Sequence, residues 1–391
     1  MSSIFRRAIR CWFVLCTSWS GPASAQNAET IDPDFSLKKG GEAGLRWHFV
    51  SEKPFRLSGF CYYENDRLFR RLPAKPTLRL PGSVDNLAWH TSGGQVTFRT
   101  DSDRISIRVK LRPGNPMRNV SRTAQASFDL LRGEPSRKRF AGLAIPGFDE
   151  VEFQREVWSV PFKKMAEYTL NFPLYQGVET VEIGLAEGAK IEPPSAWRQA
   201  GPVVVYGGST LQGASASRPG NSWTMMLSLR LNMEFANMGF SGSGRTEASV
   251  AEALAAIKNP ALYMMCSDTN STIEQLRERF VAFIRILRRE HPQTPILVMT
   301  RPMWGGDRRA KEVQAAQGLE TEQAIKVAFL KSQVELLQKK GDAKIFFQDG
   351  SEDNAEDFDL ESVDGSHMND LGFYRIAERL EPLLRKLLEL P

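Results

Sequence analysis

The stretch Val203-Val204-Val205-Tyr206-Gly207-Gly208-Ser209-Thr210 decides the fold. Its first four residues are apolar on both faces, the pattern of a strand buried on both sides of a sheet. Short apolar runs recur at 234–238, 261–266, 295–300 and 344–348, and the segments between them carry apolar residues at three- and four-residue spacing. The clearest such segment places Ile273, Leu276, Phe280, Phe283, Ile284 and Leu287 along one side, with Ser271 and Glu274 as its expected capping box. A last helix is predicted over about 369–388. Five strands interleaved with helices imply an α/β domain, a parallel sheet covered on both faces.

Upstream of this region the periodicity changes. Residues 186–201 are rich in Gly and Pro and read as a linker. Before them, from Trp47 to Leu185, the pattern alternates every second residue and is broken by Gly, Pro, Asn or Asp. Ile105, Ile107, Val109 and Leu111 give the clearest strand, opposite Ser106, Arg108 and Lys110. Many short alternating strands predict an antiparallel β-sandwich, and no helical period longer than a turn is visible there. The expected division is 35–188 for the sandwich and 200–391 for the α/β domain, within a chain of 391 residues.

The N-terminus reads as an export signal over 1–25. Arg6, Arg7 and Arg10 precede a short apolar run, and Ala23-Ser24-Ala25 supplies small residues for cleavage. The expected location is periplasmic or secreted. Removing the three signal arginines lowers the formal charge from +5 to +2, so the basic balance is no nucleic-acid signature. Cys11 and Cys16 would leave with the signal. Cys61 and Cys266, each read as part of an apolar strand-like segment, are expected as buried free thiols. No further stretch is long enough to insert stably in a membrane. His48, His90 and His291 show no metal-ligand spacing and read as surface or satisfied strand residues, so neither metal nor cofactor is expected. No oligomeric state is read from the sequence.

In open α/β sheets ligands bind beyond the carboxyl ends of the strands, and chemistry gathers there. The first strand is followed by Gly207-Gly208-Ser209-Thr210, and the second by Gly239-Phe240-Ser241-Gly242-Ser243-Gly244. The third leads to Ser267-Asp268-Thr269-Asn270, and the fifth, through an acidic loop, to Asp364-Gly365-Ser366-His367. A serine, a glycine turn, an asparagine and an Asp/His pair on one edge can perform acyl transfer.

This order resembles the four blocks of the SGNH (GDSL-like) hydrolase superfamily. The run Tyr206 to Gly213 with Ser217-Arg218-Pro219-Gly220 is similar to a bacterial branch that carries an N-terminal β-sandwich. The looser likeness in the first half lies at Gly59-Phe60, Arg71-Leu72-Pro73 and Phe98-Arg99-Thr100-Asp101. The resemblance implies a flavodoxin-like hydrolase domain after a jelly-roll-like sandwich. It implies Ser209 as nucleophile, His367 as general base and acid, and Asp364 as the residue orienting His367. Ser209, Gly242 and Asn270 would form the oxyanion hole. Cys266 and Thr269 stand where that branch usually has Asp and Pro, and Ser243 stands where it usually has Asn.

The expected activity is cleavage of short acyl esters, O-acetyl above all, from carbohydrates. The partner is then an acylated carbohydrate or other small ester, and not a nucleic acid. Trp304, after the fourth strand, is a candidate to stack on a sugar, or else a loop residue packing on its own domain. Arg218 is a candidate substrate contact or a brace for its loop. The acidic stretch 352–361 reads as a solvated loop or a lid. Two other readings stay open: a lipid-directed esterase such as a lysophospholipase, and a glycan-binding protein with a degenerate hydrolase domain, which the departures at Cys266 and Ser243 motivate.

Overall fold

The structure, a computed structural model, describes residues 44–391 except 318–319 and 352–356. The export segment, Cys11 and Cys16, and part of the acidic stretch lie outside the described residues.

Residues 45–192 form two antiparallel sheets. One has four strands in the order β1 (Leu45–Phe49), β9 (Val178–Ala186), β4 (Arg104–Leu111) and β7 (Glu152–Ser159). The other runs β10 (Ile191–Glu192), β3 (Gln95–Thr100), β8 (Ala166–Asn171), β5 (Phe128–Arg132) and β6 (Arg139–Ala144), with β2 (Arg56–Ser58) also on β3. The alternation of β4 sets its face: Ile105, Ile107, Val109 and Leu111 are buried together with Phe98, Leu170 and Ile183. β10 falls inside the expected linker and pairs with β3 at Thr100 and Arg99.

The region is not all β. Three short helices interrupt it: α1 (Tyr63–Asp66), α2 (Gly82–Leu87) and α3 (Arg122–Ala126). Runs of four to six residues are too short to show a 3.6-residue period. Cys61 lies in the turn before α1, not in a strand, although Cys266 does end one. Both are free thiols.

The second half is the parallel sheet, ordered β12 (Phe235–Gly239), β11 (Val203–Gly207), β13 (Leu262–Cys266), β14 (Ile296–Met299) and β15 (Ile345–Gln348). The first strand, β11, is internal, flanked by β12 and β13, and the order reverses beside it, which opens a crevice at its carboxyl end. All five residues of β11, β12 and β13 are buried. The helices are α4 (Ser209–Gln212), α5 (Trp223–Leu231), α6 (Ala248–Ala255), α7 (Ile273–Glu290), α8 (Gly305–Ala315), α9 (Glu322–Lys339) and α10 (Asp370–Leu387). α7 buries Leu276, Phe280, Phe283, Ile284 and Leu287 as its spacing requires. Its capping box is Thr272 with Gln275, one residue later than expected. Ser271 and Glu274 satisfy the same pattern, but packing buries Ser271 and so sets the register. None of the described helices is long and apolar enough to cross a membrane.

The two halves pack into one unit. Arg71 is fully buried and donates to the carbonyls of Leu87 at 2.7 Å, His90 at 2.8 Å, Asn237 at 3.1 Å and Gly239 at 2.5 Å. Burial lowers its pKa to about 9, and carbonyl dipoles in place of a carboxylate solvate the cation. This clamp fixes the loop after α2 against the end of β12, at the rim of the crevice.

Candidate active site

Ser209 stands at the first turn of α4, directly beyond β11, and is 8% exposed. Gly207 and Gly208 before it are required by close approach. A Cβ on Gly208 would lie 2.5 Å from Asn270 Nδ2, and one on Gly207 would lie 2.6 Å from the Cys266 carbonyl. The serine is therefore held against the end of β13 and the loop that follows it.

The turn after β12 supplies the next wall. Gly242 has φ +66°, a left-handed conformation that favours glycine, and the space beside it is open. Its neighbours are fastened on both sides. The Ser241 N–H donates to Gln212 Oε1 at 3.0 Å, and Ser241 Oγ meets the Tyr175 hydroxyl at 2.7 Å. Ser243 Oγ meets Ser83 Oγ at 2.9 Å. Asn270 donates one amide hydrogen to the Ser243 carbonyl at 2.6 Å, which fixes the amide beside Gly208 with its second hydrogen unspent on that bond.

Asp364 and His367 form a closed unit on the loop before α10. His367 Nδ1 lies 2.7 Å from Asp364 Oδ2, and the His367 backbone N–H donates to Asp364 Oδ1 at 2.8 Å. Burial would raise the Asp364 pKa, but hydrogen bonds from His367 and Ser366 outweigh it and hold the carboxyl well below the usual range. Gly305 N–H donates to the Gly365 carbonyl at 2.8 Å, and Ser362 bridges Met368. The loop is thus tied to α8 and to itself.

Asp370, three residues beyond His367, draws this loop toward α4. Its carboxylate accepts from the Ser217 N–H at 2.8 Å, from Ser217 Oγ at 2.5 Å and from Asn221 Nδ2 at 2.7 Å. Among the described residues no hydrogen bond joins Ser209 Oγ to His367. A residue from the N-terminal half links their surroundings instead. Asn119 Nδ2 lies 3.1 Å from His367 Nδ1 and 3.4 Å from Asp364 Oδ2, while the Asn119 carbonyl accepts from Ser215 Oγ at 2.6 Å. Sequence reading missed Asn119 and Tyr175, because an ordinary Asn or Tyr in an irregular loop carries no local signal of a partner 248 or 66 residues away.

Residues 200–385 match the family model of the GDSL-like lipase/acylhydrolases, and residues 45–191 match that of the N-terminus of SGNH hydro-type esterases. The chain belongs to this family. It is an SGNH-type esterase. A GDSL-like lipase from Bacteroides ovatus superposes with TM-score 0.79 at 29% identity, covering 89% of this chain and 99% of that one. A salicylyl-acyltransferase from a tetracycline biosynthetic pathway gives TM-score 0.70 at 18% identity over 90% and 100% of the two chains. A family two carbohydrate esterase from Cellvibrio japonicus gives 0.57 at 12% over 88% and 98%, a likeness of fold. No match was found among the curated proteins.

The remaining candidate residues of the esterase have defined places. Arg218 forms an ion pair with Asp129, which is fully buried and also accepts from Asn171 at 2.8 Å and Gly220 N–H at 3.1 Å. The arginine is engaged as a brace between the two halves. Trp304 packs on the core beneath Arg301, whose guanidinium lies 3.8 Å from its ring centre and pairs with Asp307 at 2.6 Å. Its neighbours Met303 and Gly305, with the Asp364 loop, line a cavity of about 260 Å³. Asp268 is buried and accepts from Arg301 N–H at 3.0 Å and Gln323 Nε2 at 2.7 Å, so it fastens the loop after β14. Neither His90 nor His291 is a strand residue. His90 lies in the turn after α2, and His291 caps α7 and reaches the Ala255 carbonyl at 2.8 Å.

Proposed function

We propose that the protein is a serine esterase that removes short acyl groups, chiefly O-acetyl, from carbohydrates, with Ser209, His367 and Asp364 as its triad. The observation that carries this reading is the 2.7 Å contact of His367 Nδ1 with Asp364, on a loop fastened through Asp370 to the segment that follows Ser209. That contact fixes the Nδ1–H tautomer and leaves Nε2 free to take a proton.

Ser209 Oγ attacks the acyl carbonyl as His367 Nε2 takes its proton, and the carbonyl oxygen becomes an oxyanion. The N–H groups of Ser209 and Gly242 and the free amide hydrogen of Asn270 receive that charge. Collapse expels the sugar alkoxide, which takes the proton from His367 and leaves an acyl-enzyme. Water then repeats the sequence, one of its protons passing to His367 and on to Ser209 Oγ, and the carboxylic acid departs and gives its remaining proton to solvent. The reading requires Ser209 Oγ and His367 Nε2 to meet in the substrate complex, since catalytic hydrogen bonds often form fully only there.

Supporting the carbohydrate reading are the export signal proposed for 1–25, the proposed division into a sandwich (35–188) and a hydrolase domain (200–391), and the fold shared with the Cellvibrio japonicus carbohydrate esterase. S209A should lower turnover of p-nitrophenyl acetate by at least about 10³-fold with an unchanged circular-dichroism spectrum. Retained turnover in that variant sinks the assignment. Acetate release from acetylated glycans, measured beside p-nitrophenyl esters of increasing chain length, tests the substrate. Preference for chains of about eight carbons or more would favour the lipid-directed reading, since each buried methylene adds about 0.8 kcal/mol.

A further inference from the structure

A second cavity, about 400 Å³ in volume, is walled by Trp89, His90, Arg112, Asn115, Tyr175 and Gln176, all from the N-terminal half. Its size falls in the range of small-ligand sites, about 300–1,000 Å³. The elements that wall it also grip the glycine turn beside Ser209. Tyr175 reaches Ser241, and Ser83 at the start of α2 reaches Ser243, while Asn86 on the same helix faces the cavity. His90 Nδ1 lies 3.0 Å from Gln212 Nε2, and Gln212 holds the Ser241 N–H. From Met117, also in the wall, the chain runs on to Asn119 beside His367. The wall of the cavity is therefore shared with Tyr175, which hydrogen-bonds the turn of Gly242 and reaches the Ser209 carbonyl at 3.5 Å.

Its charge is one-sided. Arg112 is the one Lys, Arg, Asp or Glu in the lining, and among the described residues no carboxylate pairs with it. Its guanidinium lies 3.8 Å from the centre of the Trp89 ring, which keeps the fork flat and leaves its N–H edge to a ligand. Arg70, on the same ring at 4.9 Å, is committed to Asp85 at 2.5 Å. His90 adds no positive charge near neutrality, since burial and then Arg71 pull its pKa to about 4. Gln176 is 3% exposed and donates Nε2 to the Arg112 carbonyl, while its Oε1 is buried without a partner. A buried acceptor and an unpaired guanidinium fork in one wall suit a ligand carrying both a hydroxyl and an anionic group.

We propose that this cavity is the acyl-acceptor subsite of the esterase and takes an anionic sugar residue such as a uronate, with Arg112 on its carboxylate and Gln176 Oε1 on a hydroxyl. The proposal rests on the esterase reading of Ser209. The test uses the full-length protein with acetylated oligogalacturonate, acetylated xylo-oligosaccharide and p-nitrophenyl acetate. For R112Q, kcat/KM on the uronate substrate, relative to that on p-nitrophenyl acetate, should fall about ten- to a hundredfold, mostly through KM. R112K, which keeps the charge but not the fork, should fall between. An equal loss on all three substrates marks a structural role and overturns the proposal, as does no loss or a wild-type preference for the neutral glycan. Calorimetric titration of S209A with unacetylated oligogalacturonate decides the site without catalysis. Binding lost in S209A/R112Q supports it, and no binding to S209A overturns it. A wild-type protein inert to every ester would instead sink the esterase reading, while this titration still decides whether the cavity binds an anionic sugar.

Discussion

Asn119 offers the sharpest test of how the two halves cooperate. Its amide lies 3.1 Å from His367 Nδ1 and 3.4 Å from Asp364 Oδ2, so it touches the pair that positions the imidazole without touching Ser209. N119A removes one polar neighbour of the carboxylate, and a hydrogen bond to a charged group is worth about 1.5–3 kcal/mol at most. With Asp364 36% exposed, solvent replaces part of this, so kcat should fall about tenfold. N119D puts a second carboxylate beside the imidazole, which favours the imidazolium over the neutral base. At this exposure the attraction is about 1 kcal/mol or less, somewhat under one pH unit. Because the base must be neutral, the acidic limb of kcat/KM should move upward by that amount. The assay is the pH–rate profile of p-nitrophenyl acetate hydrolysis for wild type, N119A and N119D. If both variants keep the wild-type rate and the N119D limb does not move, Asn119 plays no part in positioning His367.

Two further substitutions probe the scaffold. R218A strands the fully buried Asp129 without its cation and should cost about 3 kcal/mol in thermal or urea unfolding, whereas R218A/D129N, which removes the charge as well, should recover most of that loss. G208A places a Cβ 2.5 Å from Asn270 Nδ2, so it should displace the amide and lower kcat about 10²-fold while far-UV circular dichroism stays unchanged.

The parallel sheet was legible because its strands are buried on both faces and its helices repeat every three to four residues. Both patterns are local, and all five strands fall where the apolar runs lie. The sandwich strands were legible from alternation, whereas α1, α2 and α3 were not, since four to six residues span barely one turn. The slip in the cap of α7 has a similar origin: adjacent Ser271 and Thr272 both fit the local rule, and only burial of Ser271 distinguishes them.

The sequence by itself determined which residue types stand at the strand ends, because the order of strand, turn and functional group is written along the chain. It also determined that Asp364 and His367 would be near neighbours, since three residues in a turn cannot separate far. What only the tertiary structure decided is how the N-terminal half reaches the site: Tyr175 on Ser241, Asn119 beside His367, Arg71 clamping the end of β12, and Arg218 committed to Asp129. These contacts join residues roughly 70 to 250 positions apart. No local periodicity encodes such pairings, because each depends on how two independently patterned layers dock, and a side chain's partner is fixed by that packing rather than by its neighbours in the chain.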